Sequence, residues 1–417
     1  MYISRIALDS FRSWNHLICD CKPGINIIYG NNGLGKTNIV ESLEVASTGI
    51  SHRTSSTLPL ITRGFTTSTI QINVCNNSNK SVENSKEKTY EITLSLKGAN
   101  RARIDGGKSL YMRDIVGFLP IVSFTPRDQS LIVGDPSIRR TFIDKVGSLL
   151  IKDYAQLLQE FIHIAKQRTA LLKSIRESSY NNQNISLSGL EIWTGKFIES
   201  GINLTKARQK AINILNKYFT NILKNLTNNQ EFAELKYVPS FEEILLCNNN
   251  SEENNQLLSL LSKHFQRIYE GELARGCNLI GPHRDDVDFI LNSMPAREFA
   301  SNGESWILAV AAKMSLCKAL EEKNNSKPII ILDDVFAQLD EYRRKQILQF
   351  SLQQGQVFIT ASSLNDIPNN IDINQKNLIN IQDIAEEQKS INKIDEEHSN
   401  ILKDILLNRN GEQEETL

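Results

Sequence analysis

Residues Gly30-Asn31-Asn32-Gly33-Leu34-Gly35-Lys36-Thr37 constrain the fold of this chain more than any other stretch. They fit G-x-x-x-x-G-K-[ST], with the apolar run Ile25–Tyr29 before them and a segment of helical period after them. Glycines between a buried strand and a helix start allow successive backbone N–H groups to turn toward phosphate oxygens, and the helix N-terminus adds partial positive charge. Lys36 has the reach for β- and γ-phosphates, and the Thr37 hydroxyl suits a place on Mg²⁺. All eight residues are therefore expected to bind nucleotide, in an α/β fold of the P-loop NTPase class.

Such a loop needs a carboxylate at the end of another strand. The run "KPIIILDDVFAQLD" supplies one: Pro328 opens it, Ile329 to Leu332 are apolar at every position, and Asp333-Asp334 end it. An unbroken apolar run suits a parallel strand buried on both faces. Asp333 is then the expected Mg²⁺ partner and Asp334 the base that orients the attacking water. Lys36 and Asp334 are the catalytic candidates.

A third element, "FASNGESWILAVAAKMSLCKAL", places Ser301, Gly303 and Glu304 ahead of a helix. Ser301-Asn302-Gly303-Glu304 matches the S-x-x-E capping box. An S-x-G-[QE] helix start shortly before the carboxylate strand is also the arrangement of ABC-type ATPases. There, the serine and helix N-terminus of one subunit clasp the γ-phosphate bound to the other. Both roles draw on the same unsatisfied N–H groups, so one residue can serve both. Ser301, Glu304 and Asp340 are expected at a dimer interface.

Elsewhere the pattern is mixed. The segments "STIQINV" and "YEITLSL" alternate like paired strands around the polar stretch "NNSNKSVENSKEK". From Asp153 onward, apolar residues recur at three- and four-residue steps, first through Leu172 and again from Leu190 to Leu223. These segments are expected to last a few turns each, too short for a long coiled-coil arm. The expected organisation is an ATPase head over 1–149 and 266–370, a helical lid over 150–265 and a polar, weakly ordered tail over 371–417. Lys and Arg (47) nearly cancel Asp and Glu (48), which excludes a chain that coats nucleic acid by bulk charge. Cysteines and histidines do not fall at zinc-ligand spacing, and no run is long and apolar enough for a membrane span. A cytoplasmic protein without a membrane partner is expected.

With these motifs in order, the chain resembles the RecF family of bacterial recombination-repair proteins. The resemblance rests on "LDSFRSW", the P-loop, "GDPSIRRTFID" at 134–144, "KQRTALLK" at 166–173, "LEIW" at 190–193, "GPHRDD" at 281–286 and "LDDVFAQLD" at 332–340. "GDPSIRRTFID" and "GPHRDD" are specific to this branch, whereas the phosphate loop and its carboxylate strand are generic. The likeness implies an ABC/SMC-type ATPase head with an inserted helical lid. It also implies a homodimer closed around ATP and Mg²⁺, with weak DNA-stimulated ATPase activity. Such a dimer binds single- and double-stranded DNA at gaps and helps RecO and RecR load RecA in recombinational repair, replication restart and the SOS response.

Three positions depart from the pattern. Arg127 stands where relatives commonly carry Glu, which leaves Asp128 or Gln129 for the metal-side role. Asp334 is one methylene shorter than the Glu of ABC transporters, and Thr360 replaces a switch histidine. Candidate DNA contacts are Arg101, Arg103, Arg139 and Arg140, the last two serving equally well as a brace of the lid against the head, and backbone contact with little sequence preference is expected. The competing classes are a nucleotide-dependent scaffold with negligible hydrolysis and, lacking its histidine, a transporter ATPase subunit.

Overall fold

The computed structural model describes residues 1–51, 53–54, 56–75, 87–180, 189–228, 230–246, 251–336, 341–367 and 376–388. Contacts divide the chain into two compact units, Met1–Ile115 with Ile329–Leu417, and Val116–Pro328.

The first unit opens with strands β1 (Tyr2–Phe11) and β2 (Trp14–Asp20), then β3 (Ile25–Tyr29) and helix α1 (Lys36–Thr48). Four further strands follow: β4 (Thr67–Cys75), β5 (Lys88–Ser95), β6 (Arg101–Ile104) and β7 (Leu110–Tyr111). Six of them form an antiparallel sheet in the order β2-β1-β4-β5-β6-β7. Alternation explains the register: Ile70, Ile72 and Val74 of β4 are buried while the residues between them are not, and Ile6 and Leu8 of β1 face Ile72 and Ile70. The expected hairpin is β4 with β5, paired from Thr67↔Ser95 to Val74↔Lys88. Its polar connection, 76–86, lies outside the described residues.

The second unit begins with β8 (Ile121–Phe124) and the short helix α2 (Ser130–Val133). Long helices α3 (Pro136–Leu150), α4 (Tyr154–Tyr180) and α5 (Leu190–Leu226) follow, then β9 (Ala233–Val238) and α6 (Ser251–Arg275). Strands β10 (Asp286–Leu291) and β11 (Met294–Pro295) and helix α7 (Asn302–Asn324) complete it. Helix α5 runs for 37 residues, longer than the few turns expected from its pattern. It packs against α3, α4, α6, α7 and β9 over its length, so it is a spine of this unit and not a free arm. Phe197 on α5 anchors an aromatic cluster with Phe161, Phe241 and Phe265, at centroid distances of 5.2, 6.4 and 5.9 Å. Burying each such ring is worth about 1.5–3 kcal/mol.

The expected boundaries at 149/150 and 265/266 both fall inside this unit. The compact division lies elsewhere because β9 pairs with β10 and α7 packs on α5, which ties the residues on either side of 265 together.

The chain then returns to the first unit with β12 (Ile329–Asp333), α8 (Glu341–Leu352), β13 (Val357–Ala361) and β14 (Asn377–Asn380). These strands and β3 run parallel in the order β14-β3-β13-β12. Part of the expected tail is therefore a strand: β14 pairs with β3 from Asn377↔Asn26 to Asn380↔Tyr29, and Ile379 and Ile381 are buried. Residues 389–417 lie outside the described residues.

Candidate nucleotide site

Parallel register builds the site. β13 sits between β3 and β12 and matches Thr360 to Ile28 on one side and to Asp333 on the other. The carboxyl ends of all three strands thus share one edge of the sheet, the usual place for a ligand in an open α/β sheet. β12 is buried at every residue, as its unbroken apolar run requires.

From β3 the chain turns through the glycine loop into α1. Gly35 caps the helix with φ of 95°, and a Cβ there would lie 2.8 Å from both Ser13 Oγ and Trp14 Nε1. No L side chain fits that conformation and space together. Asn31, Asn32 and Gly33 are exposed. Lys36 folds back over the loop and donates to Gly30 O at 2.6 Å, Asn31 O at 3.0 Å and Asn32 Oδ1 at 3.2 Å. Burial holds its ammonium below the usual lysine pKa, against the opposing pull of Asp334 and Asp333.

The Thr37 hydroxyl donates to Asp333 Oδ1 at 3.1 Å across 296 residues of sequence. A hydroxyl and a carboxylate side by side are hard oxygen donors of the kind Mg²⁺ takes with phosphate oxygens, so these residues fit that ion. Thr360 contributes a link that the residue pattern did not suggest: its hydroxyl donates to Asp333 Oδ1 at 2.7 Å and accepts from Asp334 N at 2.9 Å. Asp334 adopts a left-handed backbone with φ of 53°. Burial, followed by the charge of Asp333, raises its carboxyl above the usual range, while Lys36 partly offsets the shift. Ser362, which no motif marks, donates to Asn32 Oδ1 at 2.8 Å and ties the end of β13 to the glycine loop.

In the second unit, Ser301 caps α7. Its Oγ accepts from Glu304 N at 3.2 Å, and its own N–H donates to Glu304 Oε2 at 2.7 Å, closing the capping box. Those hydrogen bonds hold the Glu304 carboxyl below its usual pKa. Ser301 remains exposed and Gly303 half-buried at the helix start. Asp128 is engaged locally: it accepts from Thr125 N and Oγ1 and pairs with Lys313 at 2.5 Å. Gln129 instead donates to Asn302 O at 3.2 Å and Oδ1 at 3.1 Å, beside the Ser301 cap. Asp340 lies outside the described residues.

The four candidate DNA contacts separate cleanly. Arg139 is 2 % exposed, donates to both oxygens of Asp286 at 2.6 and 2.9 Å and to Ile132 O and Gly134 O, and so is a brace and not a DNA-facing group. Arg140 donates to Asp285 O at 3.0 Å. Arg101 lies over the Tyr111 ring at 4.0 Å. Arg103 is exposed, with Glu91 at 3.8 Å.

A strand-borne glycine loop, a carboxylate strand two positions away in a parallel sheet and a serine-capped helix define an ATPase head of the RecF/RecN/SMC class. The sequence profile of the RecF/RecN/SMC N-terminal domain family matches residues 2–385. Within that class the chain belongs to the RecF family. It is 55% identical over 373 residues to the DNA replication and repair protein RecF of Bifidobacterium adolescentis, which covers 88% of this chain and 89% of that protein. RecF of Renibacterium salmoninarum is 34% identical over 387 residues, covering 88% and 96%. Among solved structures, the recombination mediator RecF-ATPrS of the RecFOR pathway superposes with a TM-score of 0.76 at 27% identity, covering 91% of this chain and 97% of that one. The RecF-ATP structure gives 0.76 at 28% identity, covering 88% and 93%.

Proposed function

We propose that this chain is an ATP-gated DNA-binding protein of the RecF type, acting in the cytoplasm in DNA replication and repair. Support comes foremost from the Thr37–Asp333 hydrogen bond, which sets a metal-side hydroxyl and carboxylate next to the Lys36 loop. Lys36 and the loop N–H groups bind the triphosphate, and Thr37 and Asp333 hold Mg²⁺. When bound, Mg²⁺ neutralises charge on the phosphate oxygens. Asp334 orients the attacking water and takes its proton, and its raised pKa moves it toward the range where a general base works. Of the two candidates for the metal-side role, Asp128 is committed to Thr125 and Lys313 and Gln129 to Asn302, all within the second unit.

ATP then joins two copies. The exposed Ser301 and Gly303 at the start of α7 meet the nucleotide held by the other copy, with Glu304 and Asp340 at the same interface. DNA binds to the paired form, through groups such as Arg101, Arg103 and Arg140, and the dimer helps RecO and RecR load RecA at gaps. Hydrolysis removes the γ-phosphate from the interface and acts as a timer.

Sedimentation velocity with and without ATP tests the pairing. The wild type dimerises with ATP; Lys36→Met stays monomeric, and Ser301→Arg binds ATP yet stays monomeric. An unchanged dimer fraction in Lys36→Met rejects ATP as the joint. The shortness of Asp334 favours one second reading, a scaffold that barely hydrolyses. Unchanged ATP turnover and DNA release in Asp334→Asn would select it.

A further inference from the structure

Two motifs outside the nucleotide site, "KQRTALLK" on α4 and "GPHRDD", face each other across a recess of about 570 Å³ in the second unit. One wall is a single face of α4, since Ile162, Lys166, Thr169 and Lys173 follow helical spacing; the other carries Cys277, His283 and Arg284. A buried network locks the walls together. Arg168, 1 % exposed, donates to Glu272 at 2.5 and 3.0 Å and to Asn278 Oδ1 at 2.6 Å. Asn278 Nδ2 in turn donates to Ala165 O at 3.2 Å and Thr169 Oγ1 at 3.0 Å.

The charged residues of this recess are all cations. Lys166, Lys173 and Arg284 line it and are exposed, and no carboxylate joins them. Among the described residues neither lysine has an ion-pair partner, and Arg284 donates only to a neutral oxygen, Asn278 O, at 3.3 Å. His283 adds no charge at neutral pH, because burial lowers its pKa. Between the cations lie the apolar side chains of Ala165, Ala170 and Ile162, the last 41% exposed, while the polar Thr169 and Asn278 are tied to each other. A surface that only held phosphates would not need that lining. Phe161, the one phenyl ring in the lining, is 2 % exposed and offers a base little face to stack on.

We propose that this recess docks an acidic peptide segment of a partner protein, with one apolar side chain seated between α4 and the 277–284 loop and flanking carboxylates on Lys166, Lys173 and Arg284. Charge complementarity and an apolar anchor are the two elements of such recognition. The surface requires neither ATP nor the dimer, so it stands apart from the nucleotide reading.

The test uses the full chain and a fluorescent peptide with one Phe flanked by Glu on both sides. The controls are the same peptide with Gln for Glu, one with Ala for Phe, and oligothymidylate. The Glu-Phe peptide gives saturable anisotropy and slows alkylation of Cys277, followed by site-resolved mass spectrometry. Lys166→Glu and Lys173→Glu each weaken binding about tenfold, with the thermal midpoint and ATP-dependent dimer unchanged. The proposal is overturned if the peptide does not saturate, if the Gln or Ala peptide binds equally well, or if both variants bind as the wild type does. Displacement of the peptide by oligothymidylate also overturns it and reassigns the recess to nucleic acid.

Discussion

Buried charge is handled in opposite ways in the second unit and in the nucleotide site of the first. In the second unit each buried arginine meets carboxylates: Arg139 with Asp286, Arg168 with Glu272, and Arg208 with Asp144 at 2.8 Å and Asp285 at 2.9 Å. In the nucleotide site of the first unit, the hydrogen-bond partners of Lys36 are neutral oxygens, and Asp333 accepts from the hydroxyls of Thr37 and Thr360. Complete pairing marks architecture, because a buried ion pair carries its own compensation. Among the described residues Lys36 has no such counter-ion bond while burial disfavours its charge, which is the condition of a group waiting for an anion.

Removing one partner on each side breaks the comparison most directly. Glu272→Ala leaves Arg168 charged and buried, and is expected to destabilise the protein by about 3–5 kcal/mol in denaturant unfolding. Lys36→Met removes a charge that folding does not use and should change stability by less than about 1 kcal/mol, while ATP binding is lost. If both variants unfold alike, the distinction between paired and waiting charges is wrong.

Thr360 sharpens the same contrast at smaller amplitude. Its hydroxyl orients Asp333 from behind, as outer partners orient metal ligands, so Thr360→Val should lower ATP turnover roughly 10–100-fold. Thr360→Ser should restore most of it, because the hydroxyl and not the methyl makes both bonds. The base next to it predicts a pH effect. As the proposed base, Asp334 would act only when ionised, and burial beside Asp333 raises its carboxyl above the usual range. Turnover should therefore fall on acidification at a higher pH than an ordinary aspartate gives, and the pH–kcat profile of the wild type checks this. Asp334→Asn should remove that acidic limb along with most of the turnover.

How much of this was legible beforehand follows from sequence distance. The glycine loop, the Asp333-Asp334 strand end and the Ser301 cap are local patterns whose backbone demands lie within a few residues, and each sits in the predicted element. The β4–β5 hairpin was legible for the same reason. Illegible were the long-range partners: Thr360 of Asp333, Ser362 of Asn32, and the carboxylates that claim Arg139 and Arg208. "GDPSIRRTFID" and "GPHRDD" read as branch markers, yet much of what they do is structural. Arg208 of α5 bridges Asp144 of the first motif and Asp285 of the second, and Tyr237 also donates to Asp285. β14 escaped because four residues in a polar stretch carry no periodicity of their own, and only the edge of β3 makes them a strand.

The arginines extend the comparison to the surface. Both "IRR" and "RAR" offer DNA contacts in sequence, with bracing as the other reading of the first; pairing with Asp286 removes Arg139 from the DNA set, while Arg103 on β6 keeps 54% of its side chain exposed beside a loosely placed Glu91. At 3.8 Å in water such a pair is worth about 0–1 kcal/mol, so it does not hold Arg103 away from a phosphate. Arg103→Glu should then weaken DNA binding by the ATP-bound dimer to a similar extent on every sequence, and flatten the plot of log affinity against log salt by about one unit. Folding and ATP-dependent pairing should be untouched. Arg139→Met should act the other way round, lowering the unfolding midpoint because Asp286 loses the group that holds its carboxyl below the usual range against burial. Among folded molecules its salt slope should equal that of the wild type. A flattened slope in Arg139→Met and none in Arg103→Glu would reverse the assignment of which arginines face the DNA.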